Sequence, residues 1–263
     1  MTQERQTDLL DPARAAAFQV ALGAVPTIAS GSDLPPFFHQ LYFWTAQPAA
    51  ALGRDGHPKV GGPIPDMGLP RRMWAGGRLT FHAPLVAGIT AEKKSVLESQ
   101  VTKVGRSGPL GFVTLRHEIW QNGQLRLTEW QDLVYREDPA PDAEMPQPPR
   151  ARTDETDVRE VGFDSTLLFR YSALTFNGHR IHYDLDYARD VEGYGGLVVH
   201  GPLLAQLLML FAVDLSGPLA SFSFRATSPL IHFETAQLCR RNENMWVRGP
   251  DGRQCMQAVV QSQ

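Results

Sequence analysis

The most regular hydrophobic pattern in the chain lies at GPLLAQLLMLFAVD, residues 201–214, where Leu203, Leu204, Leu207, Leu208 and Phe211 fall at helical spacing with almost no polar face. A helix apolar nearly all round is a buried helix. The runs that follow, LIHFETAQLCRR and MWVRGPDGRQCMQAVVQ about the turn NEN, are short, β-rich and separated by turn residues, so they predict antiparallel hairpins. Earlier in the chain, GFVTLRHEIW and LRLTEWQDLVYR about QNGQ repeat that hairpin pattern. A helix is expected before them within Phe38 to Leu52, although Pro48 interrupts its pattern, and STLLFRYSALTF, residues 165–176, reads as a strand. One buried helix followed by an antiparallel sheet, twice, predicts an α+β fold in which each sheet wraps around its own central helix.

Between the two patterns the composition changes. Residues 137–160 hold five prolines between Pro139 and Pro149 and hardly any apolar side chains, which resists helix and sheet and stiffens the backbone. The expected organisation is therefore an N-terminal unit at 1–137, a proline-rich linker at 138–158 and a C-terminal unit at 159–263.

Composition narrows the function classes. With 43% hydrophobic and 20% charged residues, the 263-residue chain has globular averages. Its net charge of −3 lacks the basic excess of a nucleic-acid or anionic-membrane binder, so neither partner is expected. Cys239 and Cys255 are too few for a disulfide framework and lack metal-ligand spacing, which fits a reduced, cytoplasmic setting. Charges run through the first residues, so no secretory signal is expected, and the apolar run Leu203 to Val213 is too short to span a bilayer.

Candidate chemistry concentrates in LTFNGHRIHYDLDYARD, residues 174–190, and in VHGPL, residues 199–203. Asn177-Gly178 forces a turn. His200-Gly201-Pro202 opens the buried helix, with proline in the first turn, where its missing N–H costs nothing. The segment Asn177-Gly178-His179-Arg180-Ile181-His182, followed by Val199-His200-Gly201-Pro202-Leu203, resembles the MaoC-like hydratase and dehydratase family. LYFWTAQPAAALGRDGHP, LPRRMWAGGRLTFHAPLVAG, QDLVYR and FRYSALTFNGHRIHYD are similar to double hot-dog itaconyl-CoA and mesaconyl-CoA hydratases and to mitochondrial-type hydroxyacyl-thioester dehydratases. That resemblance implies two tandem hot-dog units, the first degenerate and the second active, hydrating an unsaturated acyl-CoA. It places His182 on the family's catalytic histidine and Asn177 on its catalytic aspartate. His179 and Arg180 stand where the general motif has Asn and Pro, and Thr175-Phe176 replaces its Ser/Thr-Gly pair.

Hydration of an alkene conjugated to a thioester needs a base for water, donors for the enolate oxygen and a proton for the α-carbon. His182 is the expected acid–base group, because an imidazole both takes and returns a proton near neutral pH. Asn177 cannot be a base and is assigned to positioning. Gly201 is expected to present a helix N-terminal N–H to the enolate. Asp184 is a candidate for orienting the imidazole, and His179 and His200 for contacting substrate. Arg71 and Arg72 are candidates for a substrate carboxylate or CoA phosphate, one of them at most entering the pocket, since neighbours on a strand face opposite sides.

Four functions compete: a hydratase of itaconyl-CoA or mesaconyl-CoA giving citramalyl-CoA, a fatty 3-hydroxyacyl-thioester dehydratase, a hot-dog thioesterase, and a non-catalytic acyl-CoA binder. No metal site and no nucleotide cofactor are expected, CoA entering only as part of the substrate. Two hot-dog units in one chain are compatible with a monomer or with a homodimer.

Overall fold

A computed structural model describes residues 3–59, 61, 63–105, 108–138 and 147–263. The first half carries strands β1 (Gln3–Leu9), β2 (Arg71–Phe81), β3 (Thr90–Gly105), β4 (Gly108–Gln121) and β5 (Gln124–Arg136), with helix α1 at Pro12–Ala21. The second carries β6 (Asp157–Gly162), β7 (Leu219–Ala226), β8 (Thr235–Arg241), β9 (Asn244–Arg248) and β10 (Gln254–Ser262), with α2 at Ser165–Thr175 and α3 at Gly201–Ser216.

The described strands form one ten-stranded sheet in the order β1-β3-β4-β5-β2-β7-β10-β9-β8-β6. Read inward from each edge, the two halves have the same connectivity. The opening is repeated too: each edge strand is followed by an aspartate that caps a helix, Asp11 accepting from the Ala13 N–H and Asp164 from the Leu167 N–H. The halves join where β2 and β7 pair antiparallel from Gly76↔Arg225 to Thr80↔Ser221. Backbones approach so closely at this seam that a Cβ on Gly76 would lie 2.5 Å from the Phe224 carbonyl oxygen, so only glycine fits there.

Helix α3 sits where its apolar pattern demands. Leu203, Leu204, Ala205, Leu208, Met209, Phe211 and Ala212 are buried against β7 to β10, and each buried leucine contributes ~1.5–3 kcal/mol. Gln206, also buried, donates from Nε2 to the Pro36 carbonyl at 2.8 Å and ties the helix to the first half. A sheet wrapped around a buried helix, in two tandem units of which only the second keeps the long helix, is a double hot-dog.

Two expected elements differ. The helix expected within Phe38 to Leu52 is two short 3-10 turns, Phe38–Leu41 and Ala49–Ala51, because Pro48 denies the donor that a continuous helix needs. Residues 165–176, expected as a strand, form α2. Asp164 caps it, and Leu168, Tyr171 and Ser172 bury one helical stripe. Of the expected linker, residues 139–146 lie outside the described residues. The remainder is laid along the second unit: Gln254 N donates to the Pro149 carbonyl at 2.7 Å, Trp246 Nε1 to that of Arg152 at 3.1 Å, and β6 begins at Asp157. Among the described residues no helix is long and apolar enough to cross a membrane.

Candidate active site

The Asn177-Gly178 turn reverses the chain after α2, whose last residue is followed by Phe176 in the left-handed region at φ 51°. The 3-10 turn Arg180–His182 follows and aims His182 inward, leaving it 7% exposed. Its Nδ1 lies 2.7 Å from the Val198 carbonyl oxygen. A carbonyl only accepts, so Nδ1 carries the proton and Nε2 keeps its lone pair, with no hydrogen bond among the described residues. The segment opposite is fixed by backbone, Val198 N donating to the Ile181 carbonyl at 2.9 Å.

Two residues on, His200 precedes α3 and is fully buried. Its ring stacks on that of His182, with centroids 3.6 Å apart and planes 22° from parallel. His200 Nε2 pairs with Ser172 Oγ at 2.8 Å, while Nδ1 is buried without a partner among the described residues. Burial, and then the neighbouring His179, hold the His182 imidazolium form well below the usual histidine range; burial and then His182 do the same at His200. Both are neutral at pH 7, the form in which Nε2 of His182 is a base.

Gly201 begins α3, and its N–H makes no hydrogen bond among the described residues. A helix N-terminus carries roughly half a positive charge, so this amide suits a developing enolate oxygen.

A chain of three further groups leads away from His182. His179 meets it edge to face at 5.3 Å between centroids, and burial, then His57, lower the His179 pKa to about 3. His57 lies 4.4 Å from the His179 ring, and Asp55 Oδ2 is 3.1 Å from His57 Nδ1. Burial works to raise the Asp55 pKa, but the hydrogen bonds and charge of His57 overcome it and hold the carboxylate at about 2. Asp55 and His57 belong to the first unit. Their loop is docked on the turn that carries His182 by backbone: Arg180 N donates to the Asp55 carbonyl at 2.8 Å, and a Cβ on Gly56, at φ 84°, would lie 2.1 Å from the Gly178 carbonyl oxygen.

Residues 37–232 match the family of hydroxyacyl-thioester dehydratases type 2, Htd2. The chain belongs to this family. It is 45% identical over 257 residues to mesaconyl-C(4)-CoA hydratase of Chloroflexus aurantiacus, covering 95% of this chain and 90% of that one. Among solved structures, HtdX of Mycobacterium tuberculosis aligns with a TM-score of 0.70 at 18% identity, over 99% of this chain and 100% of its own. A second M. tuberculosis protein, described as a double hot-dog fold, aligns at a TM-score of 0.60 and 15% identity, over 99% and 95% of the two chains. The Htd2 chain described here is thus a hydro-lyase of the double hot-dog class, related to a CoA hydratase.

Within this Htd2 site the remaining expected residues take distinct places. Asn177 Oδ1 accepts the His179 N–H at 3.0 Å, which makes its side chain the brace of its own turn. Asp184, expected near the imidazole, instead accepts Arg180 Nε and Nη2 at 2.9 and 2.7 Å and the Tyr187 N–H at 3.0 Å; the Val198 carbonyl orients His182 in its stead. Arg71 and Arg72 both border a crevice of about 10 Å³ with Asp55, His179, Glu192 and Tyr194, although one of them at most was expected there. β2 carries a bulge between Trp74 and Gly76, and its pairing with β7 does not extend to the arginines. Arg71 is buried in an ion pair with Glu192, whose Oε1 also accepts the Tyr187 hydroxyl at 3.0 Å. Arg72 reaches the Pro58 carbonyl at 3.3 Å and has no acidic partner among the described residues.

Asp55 and His57 are the site residues that sequence reasoning missed. Their only local signal is Asp-Gly-His, with a glycine between a carboxylate and an imidazole, more than a hundred residues from His182.

Proposed function

We propose that this protein adds water to a short unsaturated dicarboxylic acyl-CoA, converting mesaconyl-CoA or itaconyl-CoA to citramalyl-CoA, with His182 as the acid–base group. The observation that carries this reading is the His182 ring, neutral, with Nδ1 committed to Val198 and Nε2 uncommitted, beside the helix that begins at Gly201. In mesaconyl-CoA with the thioester on carbon 4, the alkene is conjugated to the thioester, and the carbon that water attacks also bears a carboxylate. Water gives its proton to His182 Nε2 as its oxygen bonds to that carbon. The enolate oxygen is held by the Gly201 N–H, and the α-carbon then takes a proton as the thioester re-forms. Itaconyl-CoA, with its alkene one carbon out of conjugation, needs an additional proton shift, which the same imidazole can perform.

A dicarboxylic substrate needs a cation near the reacting carbon. Arg72 supports that role because Arg71 is already neutralised by Glu192, whereas Arg72 borders the crevice beside His179 with no acidic partner among the described residues. The 45% identity to a mesaconyl-C(4)-CoA hydratase supports the same substrate class. The thioesterase reading loses support because Asp184 is held by Arg180 and the position before the turn is Asn177, so neither offers a carboxylate to the carbonyl.

The test is incubation with mesaconyl-C4-CoA, itaconyl-CoA and crotonyl-CoA separately, following product mass and free thiol. Gain of one water on the dicarboxylic substrates, weak on crotonyl-CoA and absent from His182→Ala, is the expected outcome. Turnover of crotonyl-CoA alone would favour the fatty-acyl reading, and thiol release without hydrated product a thioesterase.

A further inference from the structure

Hydration moves two protons, one off water and one onto carbon, and the groups near His182 in sequence or space offer little to share that work. His200 has Nε2 committed to Ser172, Asn177 is a carboxamide bracing its turn, and Asp184 is engaged by Arg180. His57 differs. Like His182, it has Nδ1 paired with an oxygen and Nε2 without a hydrogen bond among the described residues. The oxygen is a carboxylate that stays ionised, so Asp55 fixes the tautomer and favours a charged ring when one forms. Unlike His182, the pair reaches solvent, with side chains 24% and 18% exposed. Its loop has little freedom: Gly56 packs on Gly178, Asp55 accepts the Arg180 N–H, and the Arg54 carbonyl accepts Arg180 Nη1 at 3.2 Å.

We propose that His57 is a second proton-transfer group of this site, supplied by the first hot-dog unit, and that Asp55 is its positioning residue. The proposal rests on the hydro-lyase reading above. In the hydration direction the water oxygen bonds to the β-carbon, the alkene electron pair moves toward the thioester, and the water proton passes to His182 Nε2. The His57 imidazolium then gives its Nε2 proton to the α-carbon as the enolate collapses. The proton on His182 returns to His57 by way of His179, whose ring lies 5.3 Å from that of His182 and 4.4 Å from that of His57, so the cycle closes without a net proton or any redox partner.

Asp55, His57 and His179 also bring three donor atoms within 4.8 Å of one another, which raises the question of a metal. Both Asp55 oxygens already engage His57, Oδ1 at its backbone N–H and Oδ2 at its ring, and the His57 and His179 rings lie 36° from parallel at 4.4 Å. With both carboxylate oxygens already engaged by His57, the arrangement favours a carboxylate–imidazole pair.

The experiment combines turnover and ring NMR on the full-length protein. With mesaconyl-C4-CoA, His57→Gln is expected to lower kcat ~10²-fold with little change in KM. Asp55→Asn is expected to lower kcat by a smaller factor, ~10-fold, without unfolding the protein. Independently of turnover, the saturated thioester succinyl-CoA should move the ring resonances of His57 and His182 together. A His57→Gln enzyme with kcat within threefold of wild type would overturn the proposal, as would a His57 resonance unmoved while His182 responds. Loss of wild-type activity on dialysis against a chelator, restored by zinc, would overturn it in favour of a metal site. If wild-type protein hydrates no enoyl thioester, the functional reading fails, and the resonance measurement alone decides whether His57 lies in the ligand site.

Discussion

Two halves with the same strand order have buried their histidines in opposite ways. In the first unit no long helix packs on the sheet among the described residues; Ile64, Met67 and Leu69 pack on Val113, Leu115, Leu133 and Tyr135, and a polar band runs beside them. In that band His117 Nδ1 pairs with Ser95 Oγ at 2.7 Å and Nε2 with Gln131 Oε1 at 3.3 Å, while Glu129 meets His39 Nε2 at 3.0 Å and Gln40 Nε2 at 2.8 Å. Both nitrogens of the neutral His117 ring are satisfied. In the second unit His182 and His200 each have one nitrogen committed and one without a partner among the described residues. Both arrangements are buried and both suppress protonation, so burial and pKa alone do not separate them. The uncommitted nitrogen does. A satisfied imidazole holds structure together, and an unsatisfied one beside a helix N-terminus is positioned for chemistry.

The comparison can be broken most directly with matched substitutions. His182→Gln should lower kcat/KM ~10²–10⁴-fold at nearly unchanged stability, as the proposed proton-transfer role requires. His117→Gln should leave kcat/KM within about twofold and shift only the unfolding midpoint, by the ~1–3 kcal/mol of a disturbed buried hydrogen bond. Steady-state kinetics and urea melts on the two proteins decide it; equal kinetic losses would mean that His117, satisfied as it is, takes part in chemistry. Next in size is Glu129→Ala, which leaves His39 and Gln40 facing an empty acceptor and should cost ~3–5 kcal/mol of stability. The double variant Glu129→Leu with His39→Leu should recover much of that loss by making the band apolar, and a double variant no better than the single would show that the pair contributes more than mutual compensation.

The sequence makes the two sheets legible because hairpins and a nearly all-apolar helix are local patterns. Leu203 to Phe211 predict burial whatever surrounds them, and QNGQ and NEN mark turns by composition alone. Residues 165–176 mislead because Phe169, Tyr171 and Thr175 favour strands, yet Asp164 as a cap and the spacing of Leu168, Tyr171 and Ser172 win. The turn that carries His182 is legible as a cluster, but what surrounds each side chain is not. Asp184 stands two residues from His182 and points to Arg180, whereas the Val198 carbonyl, sixteen residues away, fixes the ring. Asp55 and His57 reach the site only through the pairing of two units, a distance that no spacing rule along the chain can measure.

The smallest effect sharpens the comparison through pH. His117 is held at about 3 against its ordinary 6.5, first by burial and then by Lys93. A histidine whose folded pKa is lowered binds a proton more readily unfolded, so its contribution is intact above 6.5 and is lost as the pH falls from 6.5 toward 3. His179, His182 and His200 in the second unit are lowered as well and act with the same sign. Glu129, held at about 2 against 4.5 because the charge and hydrogen bond of His39 outweigh burial, adds its own loss below 4.5. Between pH 6 and 4.5 the histidines therefore dominate, each lowering the unfolding free energy by ~1.4 kcal/mol per pH unit. His117→Gln should flatten that slope by one proton's worth and leave the acid limb of kcat untouched, whereas His182→Gln should flatten it equally while abolishing turnover. Urea melts at closely spaced pH values measure the slope, and a His117→Gln protein as steep as wild type would mean that His117 titrates no differently folded than unfolded.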